Sequence, residues 1–287
     1  MKLGVICDGI SRDLPHAVDV MDEFGLEYAE LQFVGDKEVG DHTKAEIVEI
    51  DALLRARGKP VSCLSRHIFA GTSSANRPGD ALHCQHMDAL KRVIEMAHIV
   101  DAPLVRIMTP KKEQILWGKN GAEKWNVAHG AWDTMAPMIA PAVALAKAEG
   151  VTLVVETGNG TMVNSNYTAC RLIDELDAKD VLKVLWDPGN NCWCHELAYP
   201  DGYEGLRGGY LGHLHIKDVS VDTPRAMLEV RQMGEGQLAP FFQPIADALR
   251  VDGYDGVISF ESVYHPGDGD FEAGFRLCID QFKEIFA

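Results

Sequence analysis

The sequence lacks what a membrane, secreted or nucleic-acid-binding protein needs. No apolar run approaches the ~20 residues that span a bilayer. The opening segment, Met1-Lys2-Leu3-Gly4-Val5-Ile6-Cys7-Asp8, runs into a strand-like stretch without the apolar core and small-residue cleavage site of a signal peptide. Positive charge is scarce: 27 Lys and Arg face 43 Asp and Glu, a formal net charge of −16. Such a surface repels phosphate backbones and anionic lipid, which excludes nucleic acid and membranes as general partners. The 7 cysteines are odd in number and irregularly spaced, so they read as reduced thiols of a cytoplasmic protein rather than a disulfide framework. Low-complexity linkers, composition shifts and internal repeats are missing, so residues 1–287 are expected to form one domain. A composition 46% hydrophobic and 24% charged excludes disorder.

What is present is alternation. Short apolar runs at 3–7, 28–33, 60–64, 103–108, 151–156, 181–187, 210–216 and 256–261 read as strands. Runs such as Val151-Thr152-Leu153-Val154-Val155 are apolar on both faces, as in parallel sheets. Amphipathic segments at 14–25, 43–57, 80–100, 131–149, 166–176, 240–251 and 271–286 read as helices, while 191–207 is the least regular crossover. Pro15 suits a first helical turn, Asp80 an N-cap, and Gly25, Gly58 and Gly150 suit helix ends. Strands alternating with crossovers in this way predict an α/β fold, a single (β/α)8 TIM barrel. A doubly wound sheet is the alternative, but Cys7-Asp8-Gly9-Ile10-Ser11 is not a Gly-rich phosphate turn.

Active sites of such barrels lie at the C-terminal ends of the strands. The fifth to eighth strands end in Glu156, Asp187, His213-Leu214-His215-Ile216-Lys217-Asp218 and Glu261. Singly, a carboxylate there can be a helix cap and a histidine a bonded core residue. Together, three carboxylates on one rim repel each other, and a divalent cation relieves that cost. Three oxygen donors and one imidazole suit one six-coordinate ion, Mn²⁺ first, then Mg²⁺ or Co²⁺, with Zn²⁺ ranked lower. His213 and His215 face the same way in a strand. His215 is nearer the rim and is the better ligand, leaving His213 deeper, in a supporting or packing role.

At these residues the sequence resembles the sugar phosphate isomerase/epimerase superfamily of xylose isomerase-like TIM barrels, nearest to the ketose 3-epimerases. The likeness covers nearly the whole chain. It is carried by Leu153-Val154-Val155-Glu156, Leu185-Trp186-Asp187-Pro188-Gly189-Asn190, His215-Ile216-Lys217-Asp218, Gly234-Glu235-Gly236-Gln237-Leu238 and Gly253-Tyr254-Asp255-Gly256-Val257. It implies that Glu156, Asp187, His215 and Glu261 hold one metal. It also implies that Glu156 and Glu261 exchange a proton next to a sugar carbonyl through a metal-bound enediolate. The family often has a histidine where this chain has Asn190, which can bond a hydroxyl but does not titrate near neutrality.

The expected substrate is therefore a small sugar, a ketose or keto-sugar, and the resemblance implies a homo-oligomer, a dimer or tetramer. Asn190, His67, Arg106, Lys217 and Trp117, with Trp125 near it, are candidate substrate contacts. All but Asn190 have a plain alternative: His67 a loop surface, Trp117 and Trp125 packing, Arg106 a partner for buried carboxylates, Lys217 a counter-charge for Asp218, the last preferred. Glu30 and Gln32 end the second strand, and His265 follows Glu261. His83, His86 and His98 read as helix-surface residues and Cys192-Trp193-Cys194 as local packing. Competing functions are a lyase on the same scaffold (a sugar dehydratase or C-glycoside-cleaving enzyme), an apurinic endonuclease-like enzyme, disfavoured by charge and Asn190, and a non-catalytic sugar-binding protein.

Overall fold

The apolar runs pair side by side because each is short, β-branched and flanked by turn residues, which suits a strand buried on both faces. In the computed structural model, which describes residues 1–112, 131–267 and 269–287, eight parallel strands close a barrel. They are β1 (Lys2–Ile6), β2 (Tyr28–Leu31), β3 (Val61–Ile68), β4 (Leu104–Ile107), β5 (Thr152–Glu156), β6 (Leu182–Trp186), β7 (Leu211–Ile216) and β8 (Val257–Phe260). Each pairs with its chain neighbour, and β8 returns to β1 with Leu3 opposite Ile258. The expected (β/α)8 barrel is the observed fold.

The long helices are α1 (Leu14–Phe24), α2 (Lys44–Ala56), α3 (Ala81–Val100), α4 (Ala131–Glu149), α5 (Asn166–Glu175), α6 (Ala239–Val251) and α7 (Phe271–Phe286). The expected signals act as read. Pro15 sits in the first turn of α1, Gly25 ends it in the left-handed region at φ 68°, and Asp80 accepts the His83 N–H at 2.7 Å. Two boundaries differ by more than one residue. The second strand stops at Leu31 because Phe33–Val34 folds back on Lys37–Glu38 as a hairpin. The third runs on to Ile68, which carries His67 inside the strand. The crossover after β6 is a chain of short turns, Pro188–Asn191, Cys192–Cys194, Ala198–Gly202 and Tyr203–Leu206, which explains its weak helical pattern.

Strand alternation separates two cores. Val105, Val155, Val184, Leu214 and Ile258 are fully buried in the main cluster that includes the buried faces of the helices. On α7, Phe275, Ile279, Phe282 and Phe286 form one buried stripe at helical spacing, and Phe260 of β8 lies 6.1 Å from the Phe275 ring and 5.2 Å from that of Phe282. Each buried phenylalanine contributes on the order of 1.5–3 kcal/mol. A much smaller apolar cluster, Cys63, Val154 and Leu185 with Leu104 against it, sits apart.

Helix α7 also needs a residue without a side chain at Gly274, where a β-carbon would land on the backbone carbonyl oxygen of Tyr264 in the loop after β8. Backbone cannot yield as a side-chain tip can, so Gly274→Ala should destabilise the protein by about 1–3 kcal/mol. The expected reading is a lower urea midpoint at an unchanged slope; an unchanged midpoint refutes the contact.

Candidate active site

The site is built from pairs of residues two apart. Cys63 and Ser65, Leu104 and Arg106, Val154 and Glu156, Leu185 and Asp187, His213 and His215, and Ser259 and Glu261 follow the strand period and share a face. The lower members Cys63, Leu104, Val154 and Leu185 form the small apolar cluster. The upper members stand above it and are polar.

Glu156, Asp187, His215 and Glu261 converge as the strand ends require. One ligand atom from each lies within 4.8 Å of all the others, with Glu261 the most exposed. His215 Nδ1 is 3.6 Å from Glu156 Oε1 and 4.0 Å from Glu261 Oε2. That nitrogen is buried and has no hydrogen-bond partner among the described residues. An orphaned imidazole nitrogen among three carboxylates is the donor set a hard divalent cation takes, so the residues present fit the expected metal.

Permanent cations border the cluster. Arg106 Nη1 donates to Glu156 Oε2 at 2.9 Å, and its Nη2 donates to the Ser65 carbonyl at 2.8 Å and to Gln32 Oε1 at 3.3 Å. Arg106 is thus a partner for a buried carboxylate. Lys217 departs from expectation. Its Nζ lies 2.5 Å from both Asp187 Oδ2 and Glu261 Oε2, not on Asp218. Neighbouring residues point to opposite faces, and Asp218 instead accepts the N–H groups of Val219, Gly234, Gly236 and Leu238 at 2.8–3.1 Å. Asn190 Nδ2 donates to Glu156 Oε1 at 3.2 Å, and its backbone N–H donates to Asp187 Oδ1, the helix cap, at 3.1 Å.

These surroundings divide the acids. Burial pushes the Glu156 carboxyl up, but Arg106, the nearby His215 ring and Lys217 outweigh it and hold it at about 2. For Asp187 burial prevails: with Glu261 and Glu156 beside it, its carboxyl is pushed up to about 7 despite Lys217. Burial would lower His215, yet Glu30 and Glu156 push it up to about 10.

His67 has a 42% exposed side chain whose Nδ1 lies 2.7 Å from Glu38 Oε1, an acid supplied by the hairpin after β2. Trp117 and Trp125 lie outside the described residues. His83 and His86 correct the surface reading. His83 is buried, its Nε2 3.1 Å from the Met138 carbonyl, and His86 Nδ1 accepts the Phe69 N–H at 3.0 Å. His83 is seven and fourteen residues before the buried Leu90 and Ala97, a helical spacing that marks its face as inward. His265 Nδ1 accepts the Gly269 N–H at 3.2 Å. Cys192 and Cys194 contact the carbonyls of Pro188 and Asn164 at 3.4 and 3.1 Å, as local packing requires. A cleft of about 230 Å³ reaches Glu261 past Asp8, Arg12, Gln32, Ser262 and Phe271. Asp8, Arg12 and the Glu30–His213 pair had no assigned role in the sequence.

The family model of the xylose isomerase-like TIM barrel matches residues 18–281, most of the chain. The chain belongs to the xylose isomerase-like TIM barrel family. No curated protein matches it significantly in sequence. Among solved structures this family member is similar to L-ribulose 3-epimerase, at 17% identity and a TM-score of 0.74 over 100% of this chain and 95% of the other. D-psicose 3-epimerase from Clostridium cellulolyticum H10 gives 17% and 0.71 over 100% and 99%. A probable 3-DHS dehydratase from Bacillus anthracis gives 16% and 0.68 over 96% and 98%. At these identities the likeness is one of fold. Among the described residues no helix is long and apolar enough to cross a membrane.

The acid–base state of the cluster sets a test of its metal capacity. Asp187 is protonated below about 7 and His215 below about 10. A cation needs both unprotonated, so its affinity should rise with pH from 6 to 9, and uptake at pH 6 should release about two protons. Calorimetric titration of the metal-free protein with Mn²⁺ in buffers of different ionisation enthalpy counts them. Glu156→Gln and His215→Ala should each lower bound metal by elemental analysis; unchanged stoichiometry in both removes the assignment.

Proposed function

We propose that the chain is a divalent-metal-dependent sugar isomerase or epimerase acting on a ketose or keto-sugar by proton transfer. The observation that carries this is the orphaned, buried His215 Nδ1 facing Glu156 and Glu261 in a cluster with Asp187. Family membership and the likeness to D-psicose and L-ribulose 3-epimerases support it. An ion held by Glu156, Asp187, His215 and Glu261, with Mn²⁺ the first choice, would supply Lewis-acid polarisation of a substrate carbonyl and neighbouring hydroxyl.

The protein residues have separate tasks. Arg106 and Asn190 grip both oxygens of Glu156, so the carboxylate is fixed and ionised at neutral pH. Glu261 lines the cleft and is held by Lys217. One of these two carboxylates removes the proton from the carbon beside the carbonyl, and the other returns it from the opposite face. Return to the same carbon inverts it; return to the adjacent carbon interconverts aldose and ketose. His67, Asn190, Arg106, Lys217 and Trp117 remain candidate substrate contacts, His67 held from behind by Glu38. The remaining elements of the proposal are a cytoplasmic location and a homo-oligomeric assembly.

Incubating the Mn²⁺-loaded protein with a panel of ketoses and 3-keto-sugars in heavy water reads the reaction directly. Deuterium should enter the carbon next to the carbonyl of at least one sugar, with an epimer or isomer formed. Glu156→Gln and Glu261→Gln should each slow exchange by about 10²–10⁴-fold. Loss of water or an aglycone without an epimer assigns a lyase instead, the reading that the dehydratase neighbour brings to mind. Exchange into no sugar sinks the enzymatic reading.

A further inference from the structure

Glu30 of β2 is fully buried and lies across the barrel from β7. Its Oε1 pairs with His215 Nε2 at 2.8 Å and accepts the Ser65 hydroxyl, while its Oε2 pairs with His213 Nε2 at 2.7 Å. The Ser259 hydroxyl approaches the same His213 nitrogen at 3.2 Å. The carboxylate is therefore tied at both oxygens, by strands β3 and β7, and cannot swing away from His215.

We propose that Glu30 is a positioning residue for the metal centre. By accepting the Nε2–H of His215 it leaves Nδ1 as the nitrogen that carries the lone pair, and Nδ1 is the atom facing Glu156 and Glu261. A neutral imidazole has one donor and one acceptor nitrogen, and a hydrogen bond to one decides the role of the other. A carboxylate as that partner also makes the coordinating nitrogen more basic. His213 is then a brace that holds the second oxygen of Glu30 in place, which gives the deeper histidine a task without making it a ligand. The inference rests on the metal-dependent reading above and adds to it which nitrogen binds and what orients it.

Two measurements test this, neither of which reads turnover. Long-range ¹H–¹⁵N spectra of histidine-labelled protein should show His215 keeping its Nε2–H in the presence of Mg²⁺, with its Nδ1 resonance shifting as the ion is added. A shift at Nε2 instead overturns the proposal. Glu30→Gln, which keeps the shape but lowers the acceptor's charge, should weaken Mn²⁺ binding by about 10- to 100-fold, with cooperative unfolding retained; equal affinity in variant and wild type overturns it. If that variant does not fold, the wild-type spectra still decide. Wild-type protein that takes up neither ion overturns the metal reading itself, whereas a wild type that binds metal beside an unaffected Glu30→Gln removes only the role of Glu30.

Discussion

The barrel interior depends on neutralising Glu30, Glu156, Asp187 and Glu261, which are gathered in one small volume. Removing ions from water costs several kcal/mol each unless partners replace the lost hydration. The partners come from two other strands: Arg106 from β4 against Glu156, Lys217 at the end of β7 against Asp187 and Glu261, and two histidines of β7 against Glu30. Arg106 does more than balance charge. Its contacts to Ser65 and Gln32 tie β4 and β5 to β3 and the end of β2, so charge compensation and barrel closure are the same set of bonds.

The period of two makes this arrangement buildable. Each inward residue is followed two positions later by another on the same face, so one strand supplies both an apolar floor and a polar ceiling. Val154 and Leu185 fill the floor while Glu156 and Asp187 extend it upward to the rim. The intervening residues, Val155 and Trp186 among them, belong to the outer core, so the lumen can be polar without weakening the packing of the helices.

That same period explains what was legible in the sequence. The rim residues Glu156, Asp187, His215 and Glu261 are legible because each stands at the end of an apolar run, and His213 is placed deeper because it is two residues earlier. Closeness in sequence does not give the pairing of Lys217: Asp218 is adjacent, but adjacent residues in an extended chain face apart, and Asp218 is occupied by backbone N–H groups. The role of Glu30 was out of reach because its partners are 183 and 185 residues away, and no local pattern encodes that contact. His83 was legible and was missed, because polarity outweighed its place on the buried stripe of α3. The length of β3 depended on tertiary pairing, Ile68 against Ile107 of β4, which overrides local signals.

The internal charge balance connects these features to the chemistry. Four carboxylates face two permanent cations, Arg106 and Lys217, so the cluster has a deficit of two positive charges when His215 is neutral. Asp187, pushed up to about 7, and His215, pushed up to about 10, are the groups that meet the deficit by holding protons. Two protons and one divalent cation are electrostatically equivalent at this site, and only the cation can also polarise a substrate oxygen. Lys217 holds one oxygen of Asp187 and one of Glu261, so it supplies part of the positive charge at that end of the cluster. The overall charge of −16 is, by contrast, a property of the solvated surface. It governs solubility and which partners are repelled, while the chemistry depends on the few acids that the strand period turns inward.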